Sequence, residues 1–335
     1  MTSSRAGRLA GTLLLTALLF PAAFVRAEES IQGKMPEVPA GKHTDIKFYQ
    51  PSGEFVVGEA AFKAMPGAGV VLWVAGNQFF AMDDVIHAFE KTNPGVSVAL
   101  ITLPPGLEVD AIKANGWIFE GTPYPGRPDL YASVSTGHLQ SLNKAGLMTD
   151  YMTYMHNELV LMVARGNPKN IRGIDDLVRP DVRTSLPNPI NEGIMQFYLR
   201  KVLERRGLWQ KISAGKECSG CATTENNWFT AVHHRETPAR ILAGQSDVGV
   251  VWKTEALEAL RNGSAVDLEP LPPEDSMINE VFYVIGPLAS PQHPKQAEAF
   301  IRFLQSPDGQ DAYARHGFVK ATGDELSLRP IPKVP

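Results

Sequence analysis

The stretch Val70-Val71-Leu72-Trp73-Val74-Ala75 is apolar without interruption, and it constrains the fold more than any other passage in the chain. A strand wet on one side alternates polar with apolar, so an unbroken run belongs to a strand covered on both faces, as in sheets sandwiched between helices. The next residues fit that placement. Val85, Ile86 and Phe89 recur at helical spacing and predict a helix over 81–91, which Asn93-Pro94-Gly95 ends before Val96-Ser97-Val98-Ala99-Leu100 resumes as a strand. Strand, helix and strand with short joints make a βαβ unit.

The pattern recurs. A short strand at 129–132 precedes a helix near 137–144, a long apolar strand covers 157–164, and a helix opens at 173–177. Further strands are read at 184–186, 248–252 and 281–285, with helices at 193–206 and 296–304, the latter carrying Ala297, Phe300, Ile301 and Leu304 on one face. The class is therefore α/β, with parallel sheets expected. Residues 28–66 differ: rich in Gly, Pro and charge, they alternate only around 46–49 and 55–57, and read as an N-terminal extension with at most a marginal hairpin. At 44% hydrophobic and 20% charged, the 335 residues are ordinary globular material of about two domains.

The first 27 residues indicate the compartment. Arg5 and Arg8 precede an apolar run over 9–24, and Val25-Arg26-Ala27 supplies small residues at the positions a signal peptidase reads. A run of this length is shorter than the roughly 20 residues of a membrane span, and no cysteine lies nearby for lipid attachment. The expected product is an exported, periplasmic, soluble protein that is not a lipoprotein. Its formal charge of −4 becomes about −7 once Arg5, Arg8 and Arg26 are removed. With no basic excess to meet a phosphate backbone, nucleic-acid binding is not expected as its main activity.

Motifs for catalysis are missing. There is no Gly-x-Ser-x-Gly, no His-Glu-x-x-His and no Gly-x-x-x-x-Gly-Lys-Ser/Thr, so no enzyme activity and no cofactor are expected. The pairs Asp83-Asp84 and Asp175-Asp176 fall near helix starts, where the macrodipole favours negative charge. Cys218 and Cys221 are the chain's two cysteines, and Ala222 after them excludes covalent c-type haem. A local disulfide, a metal site with His233 and His234, and thiol exchange all stay open. His233, His234 and Arg235 form the most cationic short cluster, placed either toward a cleft or at a solvated helix start.

Several passages together resemble the periplasmic solute-binding proteins of ABC importers, type II fold, in the molybdate-binding-protein-like group. The clearest runs from Phe282-Tyr283-Val284-Ile285-Gly286-Pro287-Leu288 through Ser290-Pro291-Gln292-His293-Pro294 and an Ala/Phe-rich helix to Ser306-Pro307-Asp308-Gly309-Gln310 and Gly317-Phe318. Pro128-Asp129-Leu130-Tyr131-Ala132-Ser133, Asn157-Glu158-Leu159-Val160-Leu161-Met162-Val163 and Ser246-Asp247-Val248-Gly249-Val250-Val251-Trp252 agree with it. The resemblance implies two α/β lobes joined by two hinge strands with a ligand cleft between them. Lobe 1 would be 67–157 plus 280–320, lobe 2 158–279, and 321–335 a C-terminal tail. It implies a monomer that captures a small anion, foremost a tetrahedral oxyanion such as molybdate or tungstate, and hands it to an inner-membrane ABC permease. A periplasmic sensory or redox/metal accessory protein acting through Cys218 and Cys221 is the alternative.

Strand-to-helix joints are where such a fold binds anions, because a helix start presents unpaired N–H groups and partial positive charge. Four joints are candidates. The first carries Asn77 and Gln78 where the molybdate binders place small hydroxyl residues; the second carries Ser133 and Ser135, which fit the family's pattern. The third carries Asn188 and Asn191, and the fourth Trp252 and Lys253, where the family often has a tyrosine. Each has a plainer role open to it: Asn77, Ser133 and Ser135 as helix caps, Asn188 and Asn191 as turn formers, Trp252 as core and Lys253 as a solvated charge.

Overall fold

The computed structural model describes residue 1, residues 33–232 and residues 234–333. The signal-peptide reading and His233 lie outside the described residues. Val70–Val74 sits in the middle of the larger sheet, flanked by Val98–Ile101 and Leu130–Ser133, both parallel to it. The helix Phe79–Thr92 makes the first crossover and buries Val85, Ile86 and Phe89 as their spacing requires. Phe89 meets Phe300 of the helix Pro294–Gln305 with ring centres 5.0 Å apart, so two amphipathic faces close over one side of the sheet.

The sheets are mixed and not wholly parallel. Asp150–His156 and Phe282–Pro287 run antiparallel to each other, and Phe282–Pro287 runs antiparallel to Leu130–Ser133, because these two strands carry the chain out to the second sheet and back. The smaller sheet keeps a parallel core of Thr184–Leu186 between Asn227–Phe229 and Val248–Trp252. Leu159–Ala164 lies antiparallel to Val248–Trp252 and to Val266–Pro270. The result is a two-lobed α/β fold with two connecting hinge strands. Between them stands Gly286, where a Cβ would collide with the carbonyl oxygen of Asp150.

Residues 46–57 and 329–330 are more firmly built in than their composition predicts. Ile46–Tyr49 pairs with Phe55–Val57 and also, antiparallel, with Val98–Ile101, so the expected marginal hairpin is the edge of the larger sheet. A two-stranded hairpin alone is barely stable, whereas a third strand and buried Ile46 and Tyr49 secure it. At the opposite edge Arg329–Pro330, within the expected tail, pairs with Asp150–His156. The helix expected over 193–206 opens as a π-helix, Ile194–Leu199, before continuing as Arg200–Arg205. Such wide turns are rare and often mark functional sites.

Candidate functional site

The first joint is built where Val70–Val74 ends. Ala75 leads into the turn Gly76–Gln78 and the helix Phe79–Thr92, and the Gly76 N–H donates to the Leu103 carbonyl at 2.9 Å, which fixes the turn against the neighbouring loop. Asn77 is only 7% exposed. Its Nδ2 is placed to donate to the Tyr283 hydroxyl at 2.6 Å, and its Oδ1 is buried with no partner. The same hydroxyl accepts from Asn157 Nδ2 at 3.2 Å, and Asn157 also donates to Thr254 Oγ1 at 3.0 Å. Asn77, both hinge connections and the start of the helix Lys253–Arg261 thus form one polar chain. Tyr283 has one proton to give, and amide O and N are alike in shape: with Asn77 Oδ1 receiving that proton, Nδ2 becomes a free donor. Gln78 is fully buried and turned inward, its Oε1 accepting from the Tyr154 hydroxyl at 2.7 Å.

A cavity of about 470 Å³ opens beside Asn77, with walls from both lobes. Of the candidate residues it takes in Asn77, Asn191 and Trp252, while Gln78, Ser133, Ser135, Asn188 and Lys253 are not part of its wall. At the second joint the wall passes through Val134 alone. Ser133 is buried against His138 Nδ1 at 2.8 Å, and Ser135 caps the helix Thr136–Lys144 by accepting from the Gly137 N–H at 3.1 Å.

At the third joint Asn188 shapes the turn, its Oδ1 accepting from the Ile190 and Asn191 N–H groups, both at 3.0 Å. Its Nδ2 donates to Glu192 Oε1 at 2.9 Å and to the Thr230 carbonyl at 2.7 Å. Glu192 is buried in the cavity wall; burial pushes its carboxyl above the usual range, and hydrogen bonds from Thr230 and Asn188 pull the other way. At the fourth joint Trp252 faces the cavity with its ring 5.4 Å from that of Tyr198. Lys253 turns aside to Glu158, at 2.6 Å.

Cationic groups reach the cavity from elsewhere. Arg235 and His234 line it from the segment before the helix Glu236–Leu242, Arg235 lying over the Phe79 ring at 5.2 Å. His234 contacts Glu255; burial pulls its imidazolium down, but the Glu255 and Glu192 carboxylates more than offset this and hold it above the ordinary value. Lys42 lines the cavity from the N-terminal stretch, 3.6 Å from Asp45. Asp45 is itself pushed up by burial, against the pull of Lys42 and Arg235. No periodicity marks Lys42, since residues 33–45 are held at the site by distant pairings, through Ile118 on one side and the strand that follows on the other. His234 and Arg235 were visible as a cationic cluster.

Cys218 and Cys221 lie within disulfide distance, their Cα atoms 6.3 Å apart, by the edge strand Cys221–Ala222 and outside the cavity wall. Among the described residues no group of three His, Cys, Asp or Glu side chains is placed to hold a metal ion. No described helix is long and apolar enough to cross a membrane.

Residues 70–319, which contain the smaller sheet, most strands of the larger one and most of the cavity wall, match the bacterial extracellular solute-binding protein family. The chain belongs to that family. Relatives in it are binding proteins of transport systems and not enzymes. The molybdate-binding protein ModA of Mycobacterium tuberculosis is 23% identical over 261 residues, 75% of this chain and 84% of that one. The sulfate-binding protein of Synechococcus elongatus is 26% identical over 224 residues, 62% of each chain. Among solved structures, the periplasmic molybdate-binding protein of Azotobacter vinelandii shares the fold with a TM-score of 0.57 at 17% identity, covering 76% of this chain and 100% of that one. Residues 33–69 of this solute-binding protein, Lys42 included, fall outside the family match.

Proposed function

We propose that the chain is a periplasmic receptor that captures a small anion in the cleft between its lobes and delivers it to an inner-membrane ABC permease. The observation that carries this reading is a cavity walled by both lobes that receives Lys42, His234 and Arg235 beside the half-partnered amide of Asn77. A donor already held by Tyr283 loses little on gripping a ligand, because its geometry is fixed beforehand. Closure uses the same residue: Asn77 is tied through Tyr283 to Asn157 and Thr254, so a ligand bound at the first joint pulls on both hinge connections. Relatives named for molybdate and sulfate make tetrahedral oxyanions, with tungstate among them, the first inorganic candidates. The alternative of a redox or metal accessory protein has less behind it, because neither cysteine borders the cavity.

Thermal unfolding of the purified full chain with molybdate, tungstate, sulfate, phosphate and small carboxylates tests the reading. A ligand at a hundred times its Kd adds about 2.7 kcal/mol to stability and raises the midpoint. No shift with any anion, together with a zinc-induced shift lost in Cys218→Ser, would favour the accessory-protein reading instead.

A further inference from the structure

Three features of the cavity go beyond anion capture in general. Its volume of about 470 Å³ falls within the roughly 300–1,000 Å³ of clefts that hold organic molecules, whereas a tetrahedral oxyanion is five heavy atoms. That volume persists although the lobes already touch across it, with Tyr198 donating to the Val134 carbonyl at 3.0 Å and Arg235 lying over Phe79. Large parts of the wall are apolar, contributed by Phe79, Val134, Ile194 and Trp252. Such surface adds nothing to the binding of a bare oxyanion but removes carbon from water for an organic one.

The N-terminal stretch supplies the third feature. Residues 39–42 form part of the wall and are anchored on both sides: Val38 N–H donates to the Ile118 carbonyl at 2.8 Å, and Thr102 N–H to the Asp45 carbonyl at 2.8 Å. They are a fixed wall and not a loose tail. The Lys42 ammonium they carry shares its neighbourhood with the other two cationic groups, since Lys42 and Arg235 both act on Asp45, and the charge of Lys42 is felt at His234.

We infer that the ligand is an organic acid whose carboxylate or phosphate group is held by Lys42, His234 and Arg235, while its carbon skeleton lies on Phe79, Val134, Ile194 and Trp252 and the stretch 39–42 encloses it. This rests on the anion reading and narrows it. The N-terminal stretch, outside the family match, is then the part that sets specificity.

Isothermal titration of the purified full chain with 2-phosphoglycolate, succinate, molybdate and sulfate tests the inference. At least one organic acid is expected to bind tenfold or more tightly than either oxyanion. Lys42→Met should weaken that binding by at least tenfold, and Lys42→Arg should restore it; the unliganded unfolding midpoint of each variant checks that the fold survives. If molybdate or sulfate binds tightest and Lys42→Met leaves it unchanged, the organic-acid inference falls and the anion reading stands. An organic acid that binds Lys42→Met as tightly as the parent removes Lys42 and its segment from the site. Neither heat nor thermal shift with any of the four, nor with tungstate and phosphate, ends the anion reading, and the inference with it.

Discussion

The first and second strand-to-helix joints have the same construction and opposite outcomes. Each ends a buried strand of the larger sheet, each opens a helix, and each offers short polar side chains at the turn. At the second, both hydroxyls are committed locally: Ser133 to His138 and Ser135 to the Gly137 N–H. At the first, Asn77 has two amide ends and only one partner, so capacity is left over at the cavity wall. Spare hydrogen-bonding capacity together with a place in the cavity wall is what makes Asn77, and neither serine, the proposed ligand contact.

Removing the surplus group should have the largest effect. On the proposed reading, with Asn77 Oδ1 turned to Tyr283, Asn77→Ala deletes a buried donor to a charged ligand, worth about 1.5–3 kcal/mol, so affinity for whichever anion binds should fall by roughly ten- to a hundredfold. Ser133→Ala is the matched control and should leave affinity within about threefold of the parent by calorimetry. Equal losses in the two variants would erase the distinction between the joints. Ser135→Ala sharpens it from the other side. Losing that cap should cost about 1 kcal/mol of stability, read as a lower urea midpoint at unchanged slope, with no change in anion affinity. A weakened affinity there would return the second joint to the site.

Much of the fold was legible because it depends on local periodicity. The apolar run ending at Val74 and the spacing of Val85, Ile86 and Phe89 give strand and helix without reference to anything distant. The edge hairpin was not, because Ile46–Tyr49 becomes secure only against Val98–Ile101, a pairing no local pattern encodes. The π-helix Ile194–Leu199 was hidden for a related reason, since its apolar spacing is also that of an α-helix. In the site, residue types were readable and their allegiances were not. Lys253 looks available until Glu158, 95 positions away, is brought to 2.6 Å, and the fixed wall at 39–42 depends on bonds to Ile118 and Thr102.

His234 extends the comparison to the second lobe, where capacity is shared between folding and the cavity. Its imidazole contacts Glu255, Glu192 and Lys42 also act on it, and its proton is held above the ordinary pKa of 6.5. A group whose pKa is raised by folding contributes stability that is full below its unfolded value and is lost as pH rises through the folded one. Glu192, Asp45, Glu90 and Glu108, raised by burial, have the same sign, so the parent's profile alone does not single out His234. His234→Asn isolates it, because Asn tolerates the left-handed backbone at this position, φ 64°. The parent should unfold at a higher temperature than the variant at pH 6, and the gap should narrow toward pH 9. Anion affinity should weaken over the same interval in the parent and stay flatter in the variant, because a cationic group at the cavity is being discharged. A gap independent of pH would mean that the proton on His234 contributes nothing to the fold, and parallel affinity profiles would mean that it does not reach the ligand.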